Sequence, residues 1–280
     1  MIYNWVVIIS FLAMFIIGLS LDLKILLKEF IKFDRKSIAI IISQILLVPL
    51  ITIFVTEFFF DLEEYTKLFL VILSLAPGAS LSTVFINLNK GNVYLSVKAS
   101  VLITIVSIIT IPLVLKLYLL VNVANLQLDI AKSIFRLLII IGVPVVLGSI
   151  IRWYFKPFSD AIIRKIFIVI FIGLYGLTFL EISQKWPGIN FLLSVLPVMI
   201  ILILLYIFFS NIICYLFQLS SHNSRTVIIE TYMQNITLVS MIGLFLMPTQ
   251  PVLALGIIWA SLQFMIGLIY YIYLRQTNTF

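Results

Sequence analysis

The chain has 280 residues, of which 63% are apolar or aromatic and only 10% are charged. A soluble domain has about 25% charged residues, so this composition cannot supply the polar surface of a soluble enzyme or a secreted domain. The single cysteine, Cys214, excludes an internal disulfide framework. The formal charge of +7 is explained better by basic loops at a membrane than by a nucleic-acid partner. The composition predicts an integral membrane protein.

Long unbroken apolar runs predict an all-α membrane protein rather than a β-barrel, whose strands would alternate apolar and polar residues. We expect about nine transmembrane helices, each with roughly 20 apolar residues. They lie near residues 3–20, 37–60, 66–88, 93–121, 130–155, 161–181, 191–219, 225–247 and 252–274. The loops between them are short, so we expect residues 1–280 to form a single transmembrane unit.

The distribution of basic residues predicts the orientation in the membrane, because cytoplasmic loops carry an excess of Lys and Arg. The loops after the first and fifth predicted helices hold the basic residues Lys24, Lys28, Lys32, Arg35, Lys36, Arg152, Lys156, Arg164 and Lys165. The opposite side has fewer basic residues and carries Asp61, Glu63 and Glu64. We expect a multi-pass protein of the cell (inner or plasma) membrane, with its N-terminus outside and its C-terminus in the cytoplasm.

The third predicted helix is unusual at its centre. Pro77 removes a backbone donor there and Gly78 tolerates unusual dihedral angles, so we expect the helix to be broken. Ser82 and Thr83 follow the break. Packing remains an alternative role for these two residues, since small hydroxyl side chains also allow helices to approach closely.

The eighth predicted helix carries Glu230, Gln234 and Asn235 near its middle. A carboxylate and two amides are costly in hydrocarbon, and an acid at membrane depth is more often functional than structural. The third and eighth helices occupy corresponding places in the two halves of the chain, with opposite directions. Paired interrupted segments of this kind indicate the midplane site of an inverted-repeat transporter.

The residue types at these breaks predict binding of a cation together with an anion. Carbonyl, hydroxyl and carboxylate oxygens suit a small cation such as Na⁺, whereas the N-termini of half-helices favour an anion. Ser96 and Ser100 on the fourth helix lie on one face, although such serines often bond only to their own helix. Gln44 on the second helix is as well explained by an interhelical hydrogen bond as by a ligand role.

Three blocks of sequence, in order along nearly the whole chain, resemble the bile acid:sodium symporter family, in its bacterial-type form. They are Phe15-Ile16-Ile17-Gly18-Leu19-Ser20-Leu21, Ala76-Pro77-Gly78-Ala79-Ser80-Leu81-Ser82-Thr83 with Lys90-Gly91-Asn92 and Leu95-Ser96, and Glu230-Thr231-Tyr232-Met233-Gln234-Asn235. The chain departs from the family pattern at four places. It has Thr83 where the family usually has Asn, Tyr232 where it has Gly, Ala76 where it has Cys and Ser100 where it has Thr. The first two departures affect the sodium stoichiometry and the substrate.

The resemblance implies a panel domain, a core domain and two transported sodium ions. The panel would contain the helices near 3–20, 130–155 and 161–181; the core would contain those near 37–60, 66–88, 93–121, 191–219, 225–247 and 252–274, with the two broken helices crossing. One sodium site would use Ser82, Thr83, Ser96, Ser100 and Glu230. The other would use Gln44, Glu230, Thr231, Met233 and Gln234. The substrate would contact Asn235, Tyr232, Pro77 and Gly78.

We therefore expect a sodium-coupled symporter of organic anions, such as bile acids or small carboxylates, that works by alternating access in a lipid membrane. An alternative is a proton-coupled or uncoupled exporter of related fold, in which Glu230 carries the proton. An intramembrane enzyme is disfavoured because the one histidine, His222, is expected in a loop before the eighth helix and no nucleophile–base pair is visible near it.

Overall fold

The fold is described from a computed structural model. It describes residues 8, 11–12, 15–16, 18–19, 34–122, 139, 142–154, 169, 172–173, 176, 179, 187–247 and 250–276. Most of the predicted helices near 3–20 and 161–181 lie outside these residues, as do Lys24, Lys28, Lys32, Lys156, Arg164 and Lys165. The expected number of nine helices therefore stays a prediction.

Regular structure within the described residues is helical, without a strand. The α-helices are α1 (Arg35–Ile41), α2 (Val48–Phe58), α3 (Glu64–Leu75), α4 (Ser80–Leu88), α5 (Val93–Asn122), α6 (Val143–Tyr154), α7 (Ile189–Leu216), α8 (Ser221–Tyr232), α9 (Ile236–Leu246) and α10 (Val252–Gln276). A π-helical segment, Ile42–Leu47, joins α1 to α2 without a break.

Three continuous helical stretches of the described chain are long and apolar enough to cross a membrane: Arg35–Phe58, Ile189–Leu216 and Val252–Gln276. A fourth is α5, if its parts on either side of Ile108 count as one span. Ile108 is four residues before Pro112, whose ring displaces the carbonyl at that position and bends the helix. An all-helical, multi-pass membrane protein is the architecture that these stretches establish.

The π-helical segment has a cause in the sequence. Pro49 has no N–H to donate to the carbonyl four residues back, so the preceding turn cannot close as a regular α-turn. The turn widens instead, and the Val48 N–H bonds to the Ser43 carbonyl five residues back. Single π-turns are frequent at functional sites because they turn a side chain out of the α-helical register. Here the segment contains Gln44.

The chain divides into two compact units. The first comprises Met1–Lys32 and Thr104–Trp186, and the second comprises Phe33–Ile103 and Pro187–Phe280. In the first unit, Ile16 and Leu19 are buried against Ile151, and the Arg152 guanidinium donates to the Leu19 carbonyl at 2.9 Å. In the second unit, α3 is buried along its whole apolar length and packs against α2 and α9. All residues of the site described below belong to the second unit.

Candidate functional site

The chain leaves helical geometry at two places, and these two places pair with each other. Ala76–Ala79 separate α3 from α4, and Met233–Asn235 separate α8 from α9. Gly78 and Gln234 form an isolated antiparallel bridge. It is closed by the Ala79 N–H on the Met233 carbonyl and by the Asn235 N–H on the Pro77 carbonyl, both at 2.9 Å. Each break thus supplies backbone partners that the other needs in an apolar interior.

Half-helix termini converge at this crossing. α3 and α8 end there, at Leu75 and Tyr232, and α4 and α9 begin there. The Asn235 side-chain oxygen caps α9 by accepting from the Leu238 N–H at 3.2 Å. Two helix N-termini therefore carry partial positive charge into the crossing, while two C-termini carry partial negative charge. This arrangement can hold an anion and a cation close together.

Glu230 is fully buried on the last turn of α8 and gathers the hydroxyls of two other helices. Its Oε1 accepts from Ser82 Oγ on α4 at 2.8 Å and from Ser96 Oγ on α5. Thr83 Oγ1 lies 3.1 Å from Ser96 Oγ. Four of the five residues predicted for one sodium site are thus joined by hydrogen bonds. The fifth, Ser100, is half-buried one turn further along α5.

Gln44 and Gln234 attach to α8 through their amide nitrogens. Gln44 Nε2 donates to the Glu230 backbone carbonyl, and Gln234 Nε2 donates to the Thr231 carbonyl at 3.0 Å. The Thr231 hydroxyl bonds to the Val227 carbonyl of its own helix at 2.6 Å. The Met233 carbonyl already takes part in the bridge to Ala79. The residues predicted for the other sodium site therefore also surround the C-terminal end of α8.

Three buried carboxylate or amide oxygens around this helix end accept no hydrogen bond from any described residue: Glu230 Oε2, Gln44 Oε1 and Gln234 Oε1. All three residues are at most 2% exposed. An unpartnered buried amide oxygen costs about 1–3 kcal/mol, and a buried charged oxygen costs more. Hard oxygen ligands of this kind match a small alkali cation, so the donor set fits Na⁺.

Gly78 leaves the space in which the Glu230 carboxylate sits. A Cβ at this position would collide with that carboxylate, and would lie 3.5 Å from Gln44 Nε2. Glycine is required here by close approach rather than by a positive φ angle. The residue that breaks the third helix therefore also makes room for the acid from the eighth.

The residues predicted to contact substrate all lie at the crossing. Asn235 is 6% exposed and Tyr232 is 1% exposed, and Pro77 and Gly78 are buried. The Tyr232 hydroxyl neither donates nor accepts a hydrogen bond among the described residues. Its ring is part of the packed interior that supports the crossing.

Gln263 on α10 belongs to the site but was not predicted from the sequence. It is 3% exposed, and its Oε1 accepts from the Gln234 N–H at 3.1 Å. One turn later, a Cβ on Gly267 would lie 2.8 Å from the end of the Met233 side chain, so α10 approaches the break closely. An amide within an apolar helix is the only feature that could have indicated this role.

Gln263→Leu is expected to weaken the site without removing a predicted ion ligand. The Gln234 N–H loses its acceptor in a buried place, at a cost of about 1–3 kcal/mol. We expect a lower Tm and a smaller rise of Tm on adding sodium, measured on purified protein in detergent. Ser261→Ala, at an exposed position of the same helix, is the control. An unchanged sodium-dependent rise in Gln263→Leu would contradict the role.

In the ranges that the structure describes, no three His, Cys, Asp or Glu side chains converge on one point. The site instead combines one carboxylate with neutral oxygens at a crossing of interrupted helices, inside a multi-pass helical protein. This combination defines a membrane transporter.

The chain matches the Sodium Bile acid symporter family over residues 6–191, about two thirds of its length, and it belongs to that family. The matched residues include Gln44, the first helix break and Ser96, and end before α8. The family predicted from the sequence motifs is thereby confirmed. Its members are transporters, which agrees with the expectation that the chain is not an enzyme. No curated protein matches the chain significantly.

Proposed function

We propose that this protein is a sodium-coupled symporter of organic anions. The observation that carries the proposal concerns Oε2 of the fully buried Glu230, which has no hydrogen-bond partner among the described residues; the same holds for two amide oxygens beside the same helix end. A carboxylate in such a place is stabilised by a cation, and the surrounding hydroxyl and amide oxygens are suitable ligands for sodium.

We assign two sodium ions to the crossing, sharing the charge of Glu230. One ion is held by Ser82, Thr83, Ser96, Ser100 and Glu230. The other is held by Gln44, Glu230, Thr231, Met233 and Gln234, partly through backbone carbonyls. The hydrogen bonds that join Ser82 and Ser96 to Glu230 support the first assignment, and the two unpartnered amide oxygens support the second. Bound sodium would link α4, α5 and α8.

The substrate site lies where α4 and α9 begin. The positive ends of these half-helices favour an anionic group, and Asn235 adds a polar side chain whose oxygen is already used as a cap. We propose that organic anions such as bile acids or small carboxylates bind there, in contact with Asn235, Tyr232, Pro77 and Gly78.

Transport proceeds by alternating access, with a core that carries the ions and substrate and a panel built from the helices near 3–20, 130–155 and 161–181. The division of the chain into two compact units supports this proposal, since the broken helices and the residues around Glu230 all fall within one unit. Sodium must bind the two states with different affinity to drive the change. The membrane potential contributes about 2.3 kcal/mol for each elementary charge that moves across 100 mV. We propose that the N-terminus lies outside.

The test is uptake of a labelled bile acid and of a labelled small carboxylate into proteoliposomes. We expect an inward sodium gradient to drive uptake and an equal potassium gradient to have no effect. An imposed pH gradient without sodium is expected to drive none, because the site offers several neutral oxygens that suit a metal ion rather than a proton. Uptake driven by the pH gradient alone would instead establish the proton-coupled mechanism.

A further inference from the structure

A second polar cluster lies one helical turn from Glu230, where α4, α5 and α8 meet. It joins the loop Asn89–Asn92 to the first turns of α8, and we call it the loop clasp. On the loop side it comprises Asn89, Lys90, Gly91 and Asn92; on the α8 side it comprises His222, Asn223, Arg225 and Thr226. The proposed ion ligands do not include any of these residues.

The loop is shaped for a close approach to α8. α4 ends in a Schellman motif: Lys90 has a φ of 50°, and the Gly91 N–H bonds to the Ile86 carbonyl at 2.7 Å. A Cβ on Gly91 would lie 2.9 Å from the Ile86 side chain and 3.0 Å from Thr226 Oγ1. Both distances are tighter than ordinary contacts, so the absence of a side chain at Gly91 brings the loop onto Thr226.

Hydrogen bonds across the clasp fix the loop to α8. The Asn92 N–H donates to Thr226 Oγ1 at 2.7 Å, and Asn92 Nδ2 donates to Asn223 Oδ1 at 2.9 Å. Arg225 Nη1 donates to the Asn89 carbonyl at 3.0 Å, and His222 Nδ1 lies 2.6 Å from the Lys90 carbonyl. The expected loop position of His222 is wrong: it lies in the first turn of α8, which the contacts of His222 with the Lys90 carbonyl and of Asn223 with Asn92 hold in place.

The clasp has the same spacing along α5 and α8 as the Glu230 cluster, by which we mean Glu230 with Ser82, Thr83 and Ser96. Thr226 and Glu230 are four residues apart on α8, and Asn92 and Ser96 are four residues apart at the start of α5. Asn92 itself begins that turn, since its Oδ1 accepts from the Leu95 N–H at 3.0 Å. Residues four apart lie on one helix face about 6 Å along the axis. The contact of Asn92 with Thr226 therefore repeats, one turn further on, as the contact of Ser96 with Glu230.

We propose that Thr226 and Asn92 are positioning residues that set the register of α5 against α8 and thereby the affinity for sodium. This inference rests on the proposed function. A slip of one residue moves a helix by about 1.5 Å and turns its side chains by about 100°, which would take the Ser96 hydroxyl away from Glu230. Because Arg225 holds the end of α4 at the same place, the clasp ties together the three helices that contribute to the Glu230 cluster.

The test compares Thr226→Val with Thr226→Ser. Valine keeps the shape but removes the acceptor for the Asn92 N–H, leaving only its longer 3.3 Å bond to the His222 carbonyl. Serine keeps the hydroxyl. We expect Thr226→Val to raise the sodium concentration for half-maximal uptake about fivefold. The substrate KM at saturating sodium should stay near the wild-type value. In Thr226→Ser the sodium concentration for half-maximal uptake should be close to that of the wild type. Thr56→Val is the control, since Thr56 is buried and its hydroxyl bonds to carbonyls of its own helix, α2.

Equilibrium binding of radiolabelled sodium to purified protein distinguishes a failure of the proposed function from a failure of the positioning role. If the wild type binds no sodium, the proposed function fails. If the wild type binds sodium and Thr226→Val matches it within twofold, the positioning role is overturned while the proposed function stands. Asn223→Ala, which removes the acceptor for Asn92 Nδ2 at a half-buried position, is measured in parallel. We expect Asn223→Ala to lower the affinity for sodium, as Thr226→Val does. If Thr226→Val does not accumulate, the result for Asn223→Ala tests the positioning role.

Discussion

Replacing Glu230 by Gln is expected to abolish sodium-dependent uptake. The amide has nearly the same shape and can still accept from Ser82 and Ser96, but it carries no charge. Two unit charges about 4 Å apart interact by about 4 kcal/mol at an effective dielectric of 20. Loss of that attraction corresponds to roughly a thousandfold weaker binding of sodium. The measurements are uptake in proteoliposomes and the sodium-dependent rise of Tm.

Glu57→Gln is the matched control for Glu230→Gln. Glu57 lies near the end of α2, where its carboxylate pairs with the Lys67 ammonium at 3.3 Å and the side chain is 23% exposed. A partly exposed ion pair contributes about 0–1 kcal/mol, so sodium-dependent uptake should persist in this variant. Retention of full sodium dependence in Glu230→Gln would refute the assignment of the charged ligand.

Gly78→Ala is expected to have the second largest effect, because it inserts one methyl group where the Glu230 carboxylate lies. Either the Glu230 carboxylate leaves its place and loses the hydrogen bonds from Ser82 and Ser96, or the two breaks separate and the bridge between Gly78 and Gln234 is disrupted. Overpacking of an interior costs about 1–3 kcal/mol. We expect a lower Tm, and loss of both uptake and the sodium-dependent rise of Tm.

Gly176→Ala provides the comparison for this substitution. A Cβ at Gly176 would meet no described atom within 4 Å, and alanine is the better helix former. This variant should retain uptake and an unchanged or higher Tm. If Gly78→Ala behaves in the same way as Gly176→Ala, the close approach of Glu230 to the first break is not needed for function.

Features whose cause lies within a few residues could be predicted from the sequence. Pro77 and Gly78 are incompatible with a continuous helix, and the chain does break there, between α3 and α4. Glu230 was recognisable because an acid in an apolar segment needs a compensating partner. The motifs around these residues also identified the family. Such features follow from backbone chemistry and desolvation, which depend little on the rest of the fold.

Other parts of the site depend on contacts between distant segments and were not predictable. Gln263 meets the Gln234 N–H across 29 residues, and Asn92 meets Thr226 across 134 residues. Neither pair shows a pattern, because glutamine and threonine in an apolar helix serve equally well as packing residues. The sequence left Gln44 open between an interhelical hydrogen bond and a ligand role; the structure shows the hydrogen bond, from its amide nitrogen to the Glu230 carbonyl.

The sequence by itself determined that this is a helical membrane protein, where two of its helices break and which acid lies at depth, since apolar length, proline chemistry and the cost of burying a charge act locally. Only the tertiary structure decided that the two breaks pair at Gly78 and Gln234, and which oxygens around Glu230 have no partner in the part of the chain that the structure describes. Those outcomes depend on the register between helices that are distant in sequence and pack against one another. A shift of one residue in that register would turn each side chain by about 100°.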